Sequence, residues 1–228
     1  MAWYDGRARL TWSEQYLKLI PVVRRCSIGR KITFLYTNIG RGHPFYLDGI
    51  AEALSRSDSH ITRVEANVFE ISTGLSGFAW RLVRWLYQRG SSNGLAGALY
   101  SRFRRNVDFN KRGPLLGLVG RSLLKWASEQ SVPVIVAHPL LVAILRGKAD
   151  LIYQHGERVC PSSAAIGGAD MVLVPTQEAA GPFLEAGYAS NQVQITGLCI
   201  EPALTGQAEP AFQARVTRLA NDGPLTGL

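Results

Sequence analysis

Residues 31–44 read KITFLYTNIGRGHP, and this stretch decides the fold. The first seven residues are apolar or β-branched, which is typical of a buried strand. The glycines of GRG then form a turn, and Pro44 suits the first turn of a helix. Apolar residues recur with helical spacing over 45–54. The stretch therefore predicts a strand, a tight turn and a helix.

Further strands and helices alternate along the rest of the chain. Strands are predicted within 61–69, 132–137, 149–153, 169–174 and 192–196, and helices at 115–130, 139–146 and 177–186. Apolar strands that alternate with helices are typical of a parallel sheet covered on both faces. The chain has 228 residues, 46% of them hydrophobic, which is enough for such a core. We predict an α/β, Rossmann-like fold with helices on both faces.

The chain is predicted to have three parts. Residues 1–30 form an N-terminal amphipathic extension, 31–202 the Rossmann-like domain, and 203–228 a linker or the truncated start of a second domain. The extension lacks the layout of a signal peptide, and no stretch reaches the roughly 18–20 apolar residues that cross a bilayer. The three cysteines lack metal-type spacing. We therefore expect a cytoplasmic protein that does not span a membrane.

Polar or glycine-containing loops follow five of the predicted strands. Their candidate site residues are Gly40, Arg41, Gly42 and His43, then His138, His155, Glu157, Thr176 and Gly197. In sheets of this kind, ligands bind outside the carboxyl ends of the strands. The sequence therefore predicts one crevice that all five loops line, and three of the four histidines fall in it.

The turn at 40–43 has chemistry of its own. Its glycines remove side chains where a strand meets a helix N-terminus, and the free N–H groups there can hold an oxygen-rich or anionic group. The alternative is a tight turn in which His43 is incidental. A dinucleotide fingerprint would need glycine in place of Phe45, so we expect no nicotinamide or flavin cofactor.

His155 and Glu157 are the candidate general bases. They are two residues apart after a strand, so in an extended segment they point the same way. An imidazole or a carboxylate at a cleft can take a proton from a hydroxyl nucleophile. The alternative is that both bind loop backbone. The spacing of the histidines gives no compact ligand motif, so no metal is expected.

The net charge of +8 is concentrated in an insertion at 78–127, which holds ten basic residues and one acid. A helix predicted over 78–89 has a wide apolar face and a stripe of arginines, as interfacial helices do. The residues predicted to bind an anionic membrane are Trp80, Arg81, Arg84, Trp85, Arg102, Arg104 and Arg105. Each basic residue contributes about 1 kcal/mol near an anionic leaflet. The alternatives are packing of the apolar face on the sheet and binding of nucleic acid, for which no recognised motif is present.

Several of these motifs together resemble one family of glycosyltransferases. TNIGRGHP at 37–44 with LDGIAEAL at 47–54 resembles the opening of the group that contains monogalactosyldiacylglycerol synthase, processive diacylglycerol glucosyltransferase and the lipid II-forming N-acetylglucosaminyltransferase. The segments ADMVLVPT at 169–176, FLEAG at 183–187 and VQITGL at 193–198 are similar to the closing strands of the same domain. The resemblance covers residues 31–202 and implies the N-terminal half of a GT-B fold.

The resemblance also implies a function. The domain would bind a lipid or polyprenol-linked acceptor on the inner face of the membrane, with His43 near the reaction centre. The sugar would come from a nucleotide sugar, a UDP-linked co-substrate, by direct displacement without a metal. The family places the donor site in a second Rossmann domain, for which 203–228 is too short. A donor-domain subunit is therefore an expected partner, and the chain alone is expected to be inactive.

Two positions depart from the family pattern. Gln154 and His155 stand where the family often has an aspartate, which leaves the base open between His155 and Glu157. No proline directly follows Gly197. A non-catalytic membrane-docking or binding domain that retains the fold is the alternative from a different class. A small nucleotide-binding enzyme, complete in itself, is a third.

Overall fold

A computed structural model describes residues 31–39, 42–56, 61–90, 97, 109–110, 113–199 and 208–221. Its centre is a sheet of six strands in the order β2-β1-β3-β4-β5-β6, in which every neighbouring pair is parallel. The strands are β1 (Lys31–Tyr36), β2 (Thr62–Asn67), β3 (Val134–Val136), β4 (Leu151–Gln154), β5 (Met171–Val174) and β6 (Val193–Ile195). The α/β, Rossmann-like fold predicted from the sequence is confirmed.

Seven α-helices lie in the described part of the chain. They are α1 (Gly42–Arg56), α2 (Val68–Ile71), α3 (Gly74–Gly90), α4 (Pro114–Ser128), α5 (Pro139–Leu145), α6 (Gln177–Glu185) and α7 (Ala208–Ala220). The predicted helices correspond to α1, α3, α4, α5 and α6, with ends that differ by a few residues. The helix α2 was not predicted, because the apolar run after β2 continues the pattern of the strand.

The helices divide between the two faces of the sheet. On one face, α1 contributes Leu47 and Ile50 to a cluster with Ile152 of β4. On the other, Trp80 of α3, Leu123 of α4 and Phe183 of α6 belong to a larger cluster that also contains Tyr153. Successive residues of a strand point to opposite faces, which is why Ile152 and Tyr153 fall in different clusters.

The strand order reverses between β1 and β3. From β1 the chain passes outward to β2 and then crosses back to β3 on the other side of β1. In open parallel sheets, such a reversal opens a crevice at the carboxyl ends of the two strands. Here those ends lead to Thr37 and Ala137, so the crevice lies between the start of the loop after β1 and His138.

Parts of the predicted organisation lie outside the described residues, namely the extension at 1–30, most of 91–112 in the insertion, and residues 200–207 and 222–228. Within the predicted linker at 203–228, α7 forms a helix of 13 residues whose described side chains are exposed. No helix in the described ranges is long and apolar enough to cross a membrane.

Candidate functional site

The loop after β1 leads directly into α1. Thr37 and Ile39 are buried, and α1 begins at Gly42 with Pro44 in its first turn. The first N–H groups of any helix have no partner within the helix, so this turn presents donors at the crevice. Gly40 and Arg41, and the side chain of His43, lie outside the described residues, so their predicted roles stay predictions.

His138 begins the helix that follows β3. Its Nδ1 accepts a hydrogen bond from the Leu140 N–H at 3.1 Å, which makes it the N-cap of α5. Because Nδ1 is the acceptor, the neutral ring carries its proton on Nε2. The side chain is partly exposed beside the point where the strand order reverses. His138 therefore has a capping role, and its predicted contact with substrate stays a prediction.

The structure separates His155 from Glu157. The His155 side chain is only 4% exposed, packs edge-on against Phe183, and has Nδ1 3.3 Å from the Tyr153 hydroxyl. Glu157, by contrast, is exposed. The prediction that both line one side of a cleft is wrong, because the chain bends after Gly156 and sends only Glu157 to the surface. Glu157 thus remains the candidate base that solvent reaches.

The charge of Glu157 affects the pKa of two tyrosines and one cysteine. Burial first and the Glu157 carboxylate second raise the pKa of Tyr46, and the same two causes raise the pKa of Cys160 to about 12. Burial, followed by the charges of Cys160 and Glu157, raises the pKa of Tyr153 well above its usual value. All three groups therefore stay protonated near neutral pH.

Gly156 allows α1 to approach the loop after β4. A Cβ built on Gly156 would overlap the ring of Tyr46, whose side chain belongs to the second turn of α1. This contact brings the loops after β1 and β4 together at one edge of the sheet.

We expect Gly156→Ala to lower the free energy of unfolding by about 1–3 kcal/mol, since overpacking forces the Tyr46 ring to move. Urea unfolding measures the loss. The control is Gly117→Ala in α4, where an added Cβ meets nothing within 4 Å. That change should stabilise the chain by about 0.5–1 kcal/mol, because alanine favours helix over glycine. Equal midpoints for Gly156→Ala and the wild type would contradict the close approach of Tyr46.

Thr176 and Gly197 shape the loops after β5 and β6. The Thr176 hydroxyl caps α6 by accepting from the Ala179 N–H at 3.1 Å, and it donates to the Arg158 carbonyl at 3.2 Å. Gly197 has φ +80°, a left-handed conformation that favours glycine. Both residues lie at the carboxyl edge, as predicted. Helix capping accounts for the threonine, and the left-handed backbone accounts for the glycine.

The helix α3 carries an exposed apolar stripe. Leu75, Phe78, Leu82 and Trp85, which we call the docking stripe, are exposed by 68%, 64%, 46% and 49%. Their spacing of three, four and three residues places them on one side of the helix. Leu75 and Leu82 were not predicted as membrane contacts, although this spacing is visible in the sequence.

Trp80 corrects the membrane prediction. Its side chain is fully buried, and its Nε1–H donates to the Val119 carbonyl of α4 at 3.0 Å. The prediction that Trp80 faces a membrane is therefore wrong, because this indole joins α3 to α4. Trp85 lies five residues later on the exposed side.

The arginines of α3 lie beside the docking stripe. Arg81 and Arg84 are exposed, and the Arg84 guanidinium carbon lies 5.3 Å from the centroid of the Phe69 ring. Phe69 is two residues past the end of β2 and also packs against Trp80, with centroids 6.3 Å apart. The middle of α3 therefore lies near the carboxyl end of β2, the edge strand next to β1. Arg102, Arg104 and Arg105 lie outside the described residues.

Neither a metal site among the described residues nor a match to a known protein indicates what binds in the crevice. In the described part of the chain, no three His, Cys, Asp or Glu side chains are grouped as they would be around a metal ion. Comparison with protein-family models, curated proteins and solved structures gives no match in any of the three. The function must therefore be argued from the residues of the site.

Proposed function

We propose that the chain is the acceptor-binding, membrane-associated half of a glycosyltransferase, which moves a sugar from a nucleotide sugar to a lipid-linked hydroxyl. The observation that carries the proposal is the position of the docking stripe. Four exposed apolar side chains, with Arg81 and Arg84 beside them, lie on a helix that contacts Phe69, just past the carboxyl end of β2, and β2 is the neighbour of β1 in the sheet. An interfacial helix has this combination of an apolar side and flanking cations.

The orientation of the sheet supports the same function. If α3 lies on a membrane, the carboxyl ends of the strands are near the surface of that membrane. A hydroxyl held at the level of the lipid head groups can then reach the loops after β1, β3 and β4. We place the chain on the cytoplasmic leaflet, whose anionic lipids attract arginine.

The proposed chemistry needs a second domain. The described residues contain one sheet and one set of loops, whereas transfer between a membrane and a soluble donor needs two sites. The nucleotide sugar, UDP-linked by the resemblance, binds mainly to that second domain or to a donor-domain subunit. N–H groups of the first turn of α1 stabilise negative charge at the reacting centre, and Glu157 accepts the proton of the hydroxyl.

The second candidate is a non-catalytic docking domain that retains the fold. The burial of His155 favours it, because only one of the two candidate bases is left at the surface. This candidate predicts membrane binding without any preference for a lipid that has a free hydroxyl.

Sedimentation with vesicles tests the proposal. We expect the chain to bind anionic vesicles at low salt, to bind neutral vesicles weakly, and to bind more tightly when dioleoylglycerol is added. In the variant Arg81→Gln/Arg84→Gln, two cations are lost at about 1 kcal/mol each, so binding to anionic vesicles should weaken about 30-fold. The control Lys148→Gln/Arg215→Gln removes two exposed cations far from α3 in sequence and should bind like the wild type.

The outcomes separate the candidates. Binding to anionic vesicles that dioleoylglycerol leaves unchanged would support the docking domain. No binding to any vesicle would reject both candidates, and the apolar residues of α3 would then be interpreted as packing residues only. Tight binding of UDP-glucose by the chain alone, measured by calorimetry, would instead support a complete nucleotide-binding enzyme.

A further inference from the structure

Gln154, the last residue of β4, has a polar side chain at a buried position, where an apolar side chain would be expected. It is fully buried, and its Nε2–H donates to the His155 carbonyl at 3.2 Å. Its Oε1 has no hydrogen-bond partner among the described residues. A buried acceptor without a partner costs free energy that an apolar side chain would not, so its presence calls for an explanation such as a ligand or water.

The side chain of Gln154 points towards α1. Ile152, Gln154 and Gly156 are two residues apart, so in an extended segment they face the same side of the sheet. Ile152 belongs to the cluster that α1 covers, and Gly156 lies directly against Tyr46 of α1. Gln154 stands between them. The side chain of Gln154 therefore faces the side of the sheet that α1 covers.

The neighbouring strand places only a small side chain beside this amide. The pairing of Val136 with Tyr153 puts Ala137 next to Gln154 across the sheet. Ala137 belongs to the same cluster as Ile152 and has the smallest side chain that faces α1 there. The Tyr46 ring is only partly buried, so its rotation away from Gly156 would open a path to Gln154.

The hydrogen-bonding groups near Gln154 determine which kind of ligand would fit. The first turn of α1 offers N–H donors from Gly42, His43 and Phe45, whereas Pro44 has none. Gln154 Oε1 offers only an acceptor. A phosphate or carboxylate would satisfy the donors and leave Oε1 without a partner. A hydroxyl satisfies both, because it accepts from an N–H and donates to Oε1.

We propose that Gln154 Oε1 accepts a hydrogen bond from the free hydroxyl of the acceptor and so makes the site select an alcohol over its ester. The proposal rests on the function proposed above and adds a contact that determines specificity. Gln154 holds and orients the hydroxyl as the acceptor binds. For transfer, the O–H turns from Gln154 Oε1 to the exposed carboxylate of Glu157, which takes its proton while the oxygen bonds to the sugar and the nucleoside diphosphate leaves.

The test compares pairs of anionic vesicles that differ only in that hydroxyl. One pair contains dioleoylglycerol or its 3-acetyl ester, and the other contains a glucosyl dioleoylglycerol or its fully acetylated form. The two pairs separate a hydroxyl of the lipid from a hydroxyl of a sugar. We expect the wild type to prefer the free alcohol in one pair by about tenfold, the value of one hydrogen bond.

The decisive variant is Gln154→Met, which keeps the length of the side chain and removes the acceptor. We expect it to bind both members of each pair equally, while its binding to anionic vesicles without either lipid stays unchanged. Thr33→Val is the matched control, because Thr33 is also buried with Oγ1 lacking a partner in the described residues, but lies elsewhere in the sheet. It should keep the preference of the wild type.

The outcomes distinguish this inference from the proposed function. A preference that persists in Gln154→Met would overturn the role of Gln154 and leave the proposed function standing. No preference in the wild type would overturn both the inference and the acceptor role. If Gln154→Met does not fold, Gln154→Asn serves instead, because the shorter amide withdraws its oxygen and should lose most of the preference.

Discussion

The variant Phe78→Ser/Trp85→Ser is expected to bind anionic vesicles at least tenfold more weakly than the wild type, with its fold intact. These two aromatic side chains are 64% and 49% exposed, so their replacement removes little packing from the protein. In a membrane interface, an aromatic side chain that buries about 100 Å² contributes about 2.5 kcal/mol. Partial insertion of both rings therefore accounts for the expected loss. Sedimentation over a range of lipid concentrations measures it.

High salt separates the apolar part of this binding from the ionic part. The loss caused by the serine variant should persist at high salt, because screening acts on the arginines and not on the rings. Phe212→Ser is the control, since Phe212 is 52% exposed on α7 rather than on α3. A serine variant that binds like this control would show that the docking stripe does not enter the membrane. The membrane-associated part of the proposed function would then be withdrawn.

Most of the sheet could be predicted because strands β1, β3, β4 and β5 are largely buried. Each of these is a short apolar run bounded by turn residues, as in residues 169–174, of which β5 occupies Met171–Val174, whereas the edge strand β2 is polar and mostly exposed. The turn residues at both ends of such a run mark where the strand begins and ends. The alternation with helices then requires parallel strands, and parallel strands bring their following loops to one edge. The edge that holds the candidate site was therefore predictable before any side chain could be placed.

The direction of individual side chains at that edge was not predictable. His155 and Glu157 are two residues apart, and only the bend after Gly156 makes one buried and the other exposed. Just before that bend, Gly156 packs against Tyr46, which is far from it in sequence. The burial of Gln154 was not predictable either, because a polar residue at the end of a strand usually reaches solvent. These features arise from tertiary contacts, which local patterns do not encode.

The two tryptophans of α3 show the same limit. Apolar residues occupy most of the circumference of this helix, so its sequence alone is compatible with burial of more than one side. The choice depends on α4, whose Val119 carbonyl accepts hydrogen bonds from both Ser76 and Trp80. A partner about forty residues away thus decides that Trp80 is buried and that Trp85 is exposed.

Trp80→Ala is accordingly expected to lower the free energy of unfolding by about 3–5 kcal/mol, the usual effect of removing a buried aromatic side chain. The change leaves a cavity between α3 and α4 and removes one donor from the Val119 carbonyl. Urea unfolding measures the loss, and Trp85→Ala, at an exposed position, should stay within about 0.5 kcal/mol of the wild type. If the two variants were equally stable, α3 would not be held to α4 by Trp80. The docking stripe would then have no fixed direction, because the burial of Trp80 is what turns Phe78 and Trp85 outward.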